Sequence, residues 1–476
     1  MGNLKNYFNS LKDKRVAVIG AGISNTPLIE ALLTAEIKTT VCDKRSRAEL
    51  GEAAVQYEKQ GAKLILGEDY LKNLTEDVIF RTPGLMPTNP ALKEAVARGA
   101  TLTSEMEVFF ELCPCKKIAV TGSDGKTTTT SIIAEILKTD GKSVHLGGNI
   151  GTPLLCRVDD MSPDDVAVIE LSSFQLITMK KSPDIAVVTN LSPNHLDIHT
   201  DMEEYVDAKS HIFMHQKRTD RAVFNLDNEI TLDYARSAPA DEVLFFSRLD
   251  KVKDGVYLKN GTIFESRNDD RAEIMQVKDI ALPGIHNIEN YLAAFAATMG
   301  IASHASMRET AKKFKGVEHR IEPVRERNGV KYYNDSIASS PSRAIAGLRA
   351  LTPEIDDASS TERRKVILIA GGKDKGIPFD DFGEEIVKRV KTLVLTGAAA
   401  DQIHEAVNKA PGSDKDDKTS TLEIHQCDDF KDAVLTASKL ATTGDIVLLS
   451  PACTSFDRFT NFEERGNTYK DIINNL

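Results

Sequence analysis

Several features that mark whole classes of protein are scarce or missing in this chain of 476 residues, which contains six cysteines and no tryptophan. Six cysteines are too few for a disulfide framework. Cys113 and Cys115 lie close together but lack a second pair at zinc spacing, so we interpret them as a linker feature and assign no metal. No apolar run approaches the roughly 18 residues of a membrane span. Residues 1–9 carry no signal-peptide pattern, so we expect a cytoplasmic protein without membrane insertion.

An excess of positive charge is also missing. The 60 basic residues are outnumbered by 71 acidic residues, and the formal net charge is -11. This balance argues against a surface built to hold nucleic acid or an anionic membrane, although a local basic pocket for a small anion is compatible with it. The hydrophobic fraction of 41% and the charged fraction of 28% are ordinary for a folded globular protein with large buried cores.

Short apolar runs alternate with helix-like stretches along the chain, which indicates an α/β protein with parallel sheets. At about 150 residues per domain, the length predicts roughly three domains. We place them at 1–98, 99–316 and 317–476. The polar stretches 356–365 and 412–420 are predicted to be solvated loops. The clearest predicted strands are 16–19, 118–120, 166–171, 185–191, 366–370, 393–395 and 446–449.

A phosphate-binding motif stands in the middle of the chain, where the predicted strand 118–120 runs through TGSDGKTT at 121–128 into a helical pattern at 131–137. Gly122 and Gly125 would let backbone N–H groups surround phosphate oxygens, Lys126 would add a full charge, and Thr127 could bind Mg²⁺. The loop departs from the strict motif because Val120 stands where the first glycine belongs. A simple turn with a surface lysine is the alternative, but the position after a strand favours phosphate binding.

Of three polar residues that follow this loop, the first two lie at positions that could complete a metal site. Glu170 ends the next predicted strand, where a buried acid is costly without a partner, so it is a candidate Mg²⁺ ligand. His195 follows the strand after that and could equally be a structural histidine. Lys209, taken by itself, would be interpreted as a solvated helix lysine.

The amino-terminal segment VAVIGAGIS at 16–24 resembles a dinucleotide-binding turn, but Asn25 occupies the position of the third glycine. Asp43 follows the predicted strand 39–41 at the spacing of a ribose-binding acid, with Lys44 and Arg45 available for phosphate. A structural turn with solvated charges explains the same spacing equally well.

The motifs together resemble the Mur ligases of peptidoglycan precursor synthesis along nearly the whole chain. The matching segments are TGSDGKTT at 121–128, GGNIG at 147–151, ELSSFQL at 170–176, Asn190 to Asp197 with Lys209, and His319 with Arg320. The ending SPACTSFDRFTNFEERG at 450–466, with NDS at 334–336 and GGKDK at 371–375, is most similar to the branch of the family that adds D-glutamate to UDP-N-acetylmuramoyl-L-alanine.

This resemblance implies a fold and a reaction. The fold would be a Rossmann-like first domain, a central P-loop ATPase-like domain with a mainly parallel sheet, and a Rossmann-like α/β third domain. ATP would phosphorylate the substrate carboxylate, and the amine of D-glutamate would then displace phosphate from the acyl phosphate. The catalytic residues would be Lys126, His195 and Lys209. Two Mg²⁺ ions are implied, one held by Thr127 and Glu170, the other by His195 and a carbamylated Lys209.

The resemblance also implies three sets of binding residues in a chain expected to be monomeric. ATP would contact Gly122, Ser123, Asp124, Gly125, Lys126, Thr127, Thr128, Asn287, Asn290, Arg320 and Asp335. The UDP substrate would contact Ser24, Asn25, Thr26, Asp43, Arg45, Thr82, Gly84 and Asn149. D-glutamate would contact Ser339, Lys375, Ser455 and Phe462, although Lys373 is an open alternative to Lys375.

Three other interpretations remain. The acceptor could differ, as in another Mur ligase or a folylpolyglutamate synthase. The first turn could serve a nicotinamide oxidoreductase, which the missing third glycine argues against. The chain could also be a nucleotide-dependent binding protein without catalysis.

Overall fold

A computed structural model describes residues 2–22, 24–192, 199–282, 284–352, 364–374, 377–412 and 422–476 of the chain. It divides the chain into two compact units, Met1–Phe314 and Lys315–Leu476. The first unit contains two β-sheets and the second contains one.

The first sheet is fully parallel, with its five strands in the order β3-β2-β1-β4-β5. All four residues of β1 are buried, because helices cover both faces of such a sheet. The chain order reverses between β1 and β4, so the turns after these two strands meet at the switch point where α/β sheets bind ligands. The strands are β1 (Val16–Ile19), β2 (Thr39–Asp43), β3 (Lys63–Leu66), β4 (Val78–Phe80) and β5 (Thr101–Thr103). The helices are α1 (Asn3–Asn9), α2 (Thr26–Thr34), α3 (Arg47–Leu50), α4 (Glu52–Lys59), α5 (Pro90–Ala97) and α6 (Glu105–Leu112).

The second sheet has nine strands in the order β14-β13-β12-β11-β10-β9-β6-β8-β7. The strands from β7 to β12 in this order are parallel, and β13 and β14 are added as antiparallel strands. The central strand β6 pairs with β8 on one side and β9 on the other, so loops after all three strands share one edge.

The strands of this sheet are β6 (Lys116–Thr121), β7 (Val144–Gly148), β8 (Val166–Glu170), β9 (Ile185–Val188), β10 (Arg221–Asn225), β11 (Glu242–Ser247), β12 (Gly255–Lys259), β13 (Thr262–Arg267) and β14 (Asp270–Gln276). The helices are α7 (Lys126–Thr139), α8 (Ser173–Leu176), α9 (Met202–Met214), α10 (Glu229–Ser237), α11 (Ile285–Thr298) and α12 (His304–Lys313), with 3₁₀ turns at Leu155–Asp160 and Val277–Asp279.

The second unit is built on a six-stranded sheet in the order β15-β16-β20-β17-β18-β19, parallel except for the edge strand β15. Leu368 and Ile369, adjacent on β17, belong to different core clusters, because successive side chains of a strand face opposite sides of the sheet. The strands are β15 (Glu322–Arg327), β16 (Val330–Asn334), β17 (Val366–Ala370), β18 (Val390–Leu395), β19 (Glu423–Gln426) and β20 (Ile446–Leu449). The helices are α13 (Pro341–Leu351), α14 (Asp380–Arg389), α15 (Ala400–Lys409), α16 (Phe430–Leu440) and α17 (Phe462–Asn474).

The prediction of an α/β protein with largely parallel sheets is confirmed, whereas the division into three domains stays a prediction. The run predicted as a strand over 185–191 is shorter, because β9 ends at Val188. Beyond it, the Asn190 carbonyl accepts a hydrogen bond from the Ser123 N–H instead of continuing the sheet ladder. The polar stretches 356–365 and 412–420 fall mostly outside the described residues. Within the described part of the chain, no helix has both the length and the hydropathy needed to cross a membrane.

Helix α9 is anchored to the second sheet by an aromatic cluster. The ring of Phe213 is fully buried and lies 5.2 Å from Phe224 and 4.9 Å from Tyr234, measured between centroids. We expect Phe213→Ala to lower the free energy of unfolding by about 3 to 5 kcal/mol, because it leaves a cavity among these rings. Urea and thermal unfolding would measure this. The neighbouring Met214 is 44% exposed, so Met214→Ala should change stability by less than about 0.5 kcal/mol; equal losses would contradict the packing argument.

Candidate active site

The predicted phosphate loop connects β6 to α7 and has no room for side chains at its two glycines. Gly122 has φ +149° and Gly125 has φ +77°, both values that L-residues rarely adopt. A Cβ atom on Gly122 would lie 1.9 Å from Thr189 Oγ1, and one on Gly125 would lie 2.2 Å from Asn290 Oδ1. Glycine is therefore required at both positions.

The loop is held from the side of β9 by backbone and side-chain hydrogen bonds. The Asp124 N–H donates to Asn190 Oδ1 over 2.9 Å, and Thr189 Oγ1 donates to the Asp124 carbonyl over 2.6 Å. The Ser123 N–H donates to the Asn190 carbonyl over 2.8 Å. These contacts fix the loop ahead of the first turn of α7, where Thr127 and Thr128 follow Lys126. Thr189 was not predicted as a site residue, since a threonine at a strand end carries no signal in the sequence.

Two lysine ammonium groups meet at the carbonyl oxygen of Gly122. Lys126 Nζ donates to it over 2.9 Å and to the Ser123 carbonyl over 2.8 Å. Lys209 Nζ, from α9, donates to the same Gly122 oxygen over 2.9 Å and to Thr121 Oγ1 over 3.3 Å. Together with the N-terminus of α7, these groups form a concentrated positive site suited to an anion.

Lys209 is not the solvated lysine that its local sequence suggests, since it is only 2% exposed. Its ammonium lies 4.8 Å from the centre of the Tyr205 ring. Burial holds the pKa of Lys209 well below its usual range, and the Lys126 charge lowers it further, while Glu170 and Asp124 partly offset both effects. A buried lysine with a depressed pKa beside a phosphate loop is a candidate for a functional residue.

Glu170 ends β8 next to the loop and is 1% exposed. Its Oε1 accepts a hydrogen bond from Asn149 Nδ2 over 2.9 Å. Its Oε2 is buried and finds no hydrogen-bond partner within the described ranges. A buried carboxylate oxygen with free lone pairs is costly and fits a divalent cation that prefers oxygen ligands. Thr127, 7% exposed in the first turn of α7, is the second predicted ligand of that cation.

His195 lies outside the described residues, as does Lys375. The described part of the chain contains no group of three His, Cys, Asp or Glu side chains placed to hold a metal. The second metal ion therefore stays a prediction.

Helix α11 brings two of the predicted ATP residues to the phosphate loop. Asn290 Oδ1 accepts a hydrogen bond from Thr129 Oγ1 on α7 over 3.2 Å, and Asn290 Nδ2 donates to Asn287 Oδ1 over 3.2 Å. Both asparagines are buried. The structure thus places the amide groups of both asparagines beside the phosphate loop.

The two remaining predicted ATP residues, Arg320 and Asp335, belong to the second unit. The Asp335 carboxylate is buried and accepts hydrogen bonds from Ser450 Oγ over 2.7 Å and from the Ile321 N–H over 3.2 Å. Burial raises the pKa of Asp335 to about 7, against the lowering effects of Ser450 and Arg320. Arg320 stands between His319 and Ile321, which both have positive φ angles of 62° and 45°.

Seven of the eight predicted UDP-substrate residues lie in or beside the turns after β1, β2 and β4 of the first sheet, whereas Asn149 follows β7 of the second sheet, where its side chain donates to Glu170. Asp43, at the end of β2, accepts hydrogen bonds from the Ala21 N–H and from Arg45 Nη2, each over 2.7 Å. Asn25 Nδ2 donates to the Ile19 and Gly20 carbonyls over 3.0 and 3.1 Å, so this side chain braces the end of β1. The turn after β4 contributes Thr82, whose Cβ lies 3.1 Å from a Cβ placed on Gly20, and Gly84. Ser24 lines a small cavity with Asn25, and Thr26 begins α2.

Arg81, which was not predicted as a site residue, connects the turn after β4 in the first sheet to the region of the second sheet. Its side chain is 1% exposed, yet its guanidinium donates to the Leu85 carbonyl over 3.0 Å, the Phe174 carbonyl over 2.9 Å and Thr178 Oγ1 over 3.0 Å. It joins the turn that holds Thr82 and Gly84 to helix α8, just beyond Glu170. The sequence does not reveal that an arginine after a strand will be buried with its guanidinium bonded to backbone carbonyls.

In the second unit, the segments of the predicted D-glutamate site converge. Arg465, 2% exposed, donates to the Ser336 carbonyl over 2.9 Å and to the Cys453 carbonyl over 3.1 Å. Ser336 Oγ donates to the Phe462 carbonyl over 2.7 Å, and Lys373 pairs with Thr454 through backbone hydrogen bonds. Arg465 was also missed, although it stands within the motif 450–466. Of the predicted residues, Ser455 is buried, Phe462 begins α17, and Ser339 precedes α13 by two positions.

This fold and site define a phosphate-loop α/β protein of the nucleotide-binding class. The Mur ligase middle domain matches residues 120–298, and the Mur ligase glutamate ligase domain matches residues 319–453. The chain belongs to the Mur ligase family, as the resemblance predicted.

Two relatives match the chain over nearly its whole length, and a solved structure shares its fold. The chain is 49% identical to a UDP-N-acetylmuramoylalanine--D-glutamate ligase of Ruminiclostridium cellulolyticum, over 99% of both chains. It is 48% identical to a protein of the same name from Clostridium novyi, over 99% of this chain and 100% of the other. Among solved structures, UDP-N-acetylmuramate-alanine ligase from Thermotoga maritima shares the fold with a TM-score of 0.55 at 16% identity, over 97% of this chain and 99% of the other.

We expect Gly125→Ala to weaken ATP binding by about tenfold or more. The added Cβ would clash with Asn290 Oδ1 and displace either that side chain or the loop, at a cost of about 1 to 3 kcal/mol. Isothermal titration calorimetry would measure the affinity. Gly141→Ala is the matched control at the other end of α7. Gly141 also has a positive φ, of 83°, but no described atom lies within 4 Å of its Cβ position. Equal affinities of the two variants would show that the contact with Asn290 does not matter.

Proposed function

We propose that this protein forms an amide bond between D-glutamate and the carboxylate of UDP-N-acetylmuramoyl-L-alanine, using ATP, in peptidoglycan precursor synthesis. The observation that carries the proposal is a sequence identity of nearly half, over almost the whole chain, to UDP-N-acetylmuramoylalanine--D-glutamate ligases. The phosphate loop with its buried carboxylate and lysine supports the ATP-dependent part of the reaction.

The reaction needs activation because a free carboxylate is a poor acyl donor: its leaving group would be oxide. An oxygen of the substrate carboxylate attacks the γ-phosphorus of ATP, ADP leaves, and an acyl phosphate forms. The amine of D-glutamate then attacks the carbonyl carbon, phosphate leaves with the C–O bond electrons, and the nitrogen gives up a proton. The protein's part is positioning and stabilising the negative charge that moves during both steps.

Lys126 is the residue we assign to the transferred phosphoryl group. Its ammonium bonds to the carbonyls of Gly122 and Ser123, at the N-terminus of α7. Phosphate oxygens would be stronger acceptors than these neutral carbonyls, so ATP would draw the ammonium toward the β and γ positions. Asn287 and Asn290, with Arg320 and Asp335 of the second unit, are assigned to the nucleotide.

The donor set of the site fits Mg²⁺. Glu170 Oε2 and the Thr127 hydroxyl would hold one ion, and His195 with Lys209 would hold a second. When bound, Mg²⁺ supplies positive charge that offsets the charge of the phosphate oxygens. The buried Glu170 Oε2 has no hydrogen-bond partner in the described part of the chain, which is the reason we assign it this role.

Lys209 is assigned a carbamate. An ammonium would repel Mg²⁺, but burial and Lys126 hold the pKa of Lys209 well below its usual range and favour the neutral amine. The amine nitrogen attacks the carbon of CO₂, a C–N bond forms, and one proton is released, leaving an anionic carbamate oxygen. That product would also remove the repulsion between two cations that share the Gly122 oxygen.

The substrate subsites are assigned to separate domains, 1–98 for the UDP substrate, 99–316 for ATP and metals, and 317–476 for D-glutamate. Asp43, Arg45 and the turn with Thr82 surround the switch point of the first sheet, where a sugar nucleotide suits the helix N-terminus of α2. Ser455, Phe462 and a lysine at 373 or 375 are assigned to D-glutamate, whose two carboxylates need cations and hydroxyls. We place the protein in the cytoplasm as a monomer.

The activity test measures phosphate release with ATP, Mg²⁺ and UDP-N-acetylmuramoyl-L-alanine while the amino acid is varied. We expect release with D-glutamate only. Lys126→Ala should lower it by about 10² to 10³-fold, as loss of a donor to transition-state charge does. Lys138→Ala, an exposed lysine of the same helix α7, should retain full activity.

Other outcomes would identify the alternatives. Release with L-alanine, L-lysine or another amino acid, and none with D-glutamate, would assign a different ligase. NAD(P)H turnover without ATP would support the oxidoreductase interpretation, and ATP binding without any turnover would support a binding protein.

We expect Lys209→Ala to lower activity by roughly a hundredfold or more, since even outer-shell partners of metal ligands contribute 10 to 100-fold. Added formate or acetate should partly restore it by supplying an anionic oxygen. Independent of activity, ¹³C-bicarbonate should give a carbamate signal by nuclear magnetic resonance in the native protein and in Lys217→Ala, an exposed-lysine control, but not in Lys209→Ala. A signal that persists in Lys209→Ala would contradict the assignment.

A further inference from the structure

Two cysteines outside the candidate active site are in direct contact. Cys113 caps the end of α6 and Cys115 lies just ahead of β6, with Pro114 between them. Their Sγ atoms are 3.4 Å apart. The sequence alone suggested a bland linker feature, because it could not show that the two thiols face each other across the proline.

The two thiols differ in exposure and in acidity. Cys113 is half-buried, whereas Cys115 is only 2% exposed. The hydrogen bond from Cys115, helped by the nearby Lys117 ammonium, lowers the pKa of the Cys113 thiol to about 7. The same hydrogen bond and burial raise the pKa of Cys115. A reachable thiolate beside a protected thiol is the arrangement of an attacking and a resolving cysteine.

Two other cysteines, Cys42 and Cys156, have thiols that are less acidic than that of Cys113. Cys42 is fully buried, and burial raises the pKa of its thiol to about 12. Cys156 is half-buried, and burial raises its pKa to about 11. A structural zinc site would need four ligands, and no cluster of three metal-binding side chains exists in the described ranges. Thiol chemistry at the Cys113 pair is therefore favoured over metal binding.

We propose that Cys113 and Cys115 form a modification site at which low-molecular-weight disulfides of the glutathione class produce an intrachain disulfide. The proposal does not depend on the proposed ligase activity. The site occupies the connection between the last helix before the second sheet and the strand that carries the phosphate loop.

The reaction proceeds in two balanced exchanges. The Cys113 thiolate attacks one sulfur of the small disulfide, whose S–S bond breaks, and one small thiolate leaves and takes a proton from water. Capping Cys113 removes the hydrogen bond and the charge that raise the pKa of Cys115. Cys115 then loses its proton to solvent and its sulfur attacks Cys113 Sγ, releasing the second small thiol. Two protein thiols are oxidised and one small disulfide is reduced.

The test uses the reduced full-length protein with oxidised glutathione under native conditions, followed by acid quenching and tryptic mass analysis. Cleavage after Arg98 and Lys116 places both cysteines in one peptide, 99–116. We expect this peptide to lose two hydrogens without retaining glutathione, and dithiothreitol to reverse the change. An unmodified peptide, or one that keeps a glutathione adduct, would overturn the proposal.

Single variants separate the two roles. Cys115→Ser should accumulate one glutathione on peptide 99–116, because the attacking thiolate is present and the resolving thiol is absent. Cys113→Ser should react at least about tenfold more slowly, since its remaining thiol is buried and protonated. Cys156→Ser is the control and should form the disulfide like the native protein. Circular dichroism and thermal unfolding would establish that each variant is folded; a folded Cys115→Ser protein without an adduct would refute Cys113 as the nucleophile.

Discussion

The carbonyl oxygen of Gly122 accepts hydrogen bonds from two lysine ammonium groups, and much of the candidate site depends on this contact. Two cations at one neutral oxygen repel each other, and burial of Lys209 deprives that repulsion of solvent screening. An anion bound in the loop, or loss of the charge on Lys209, would reduce the repulsion between the two ammonium groups. The phosphate binding and the modification of Lys209 that we propose would each reduce this repulsion.

Sheet topology explains why the polar groups meet there. Strand β6 lies between β8 and β9, so Glu170 at the end of β8 and Asn190 beyond β9 stand on opposite sides of the loop. Helix α11 closes a third side with Asn290, and α9 closes the fourth with Lys209. In the first sheet, too, neighbouring parallel strands bring their turns together, because the turns after β1 and β4 meet at the switch point. The subsites that we propose for ATP and for the UDP substrate therefore both lie at the carboxyl ends of parallel strands.

The sequence predicted local chemistry better than long-range placement. It identified the strand, loop and helix around Lys126 because glycine spacing and apolar periodicity are local signals. It missed Arg81 and Arg465, since each guanidinium is buried against backbone carbonyls from distant segments. It also predicted a strand that is too long after Ile185. The hydrogen bond between the phosphate loop and Asn190, which lies beyond the end of that strand, is a tertiary contact that a local pattern does not reveal. His195 and Lys375 are not among the described residues.

By itself the sequence determined the α/β class, the phosphate loop and the family, because these rest on residue types at short fixed spacings. Only the tertiary structure decided that Lys209 is a buried partner of the loop, 87 positions along the chain from Gly122. The structure alone also decided that the thiols of Cys113 and Cys115 are in contact. Burial and side-chain direction depend on which distant elements pack together, and no local pattern encodes that choice.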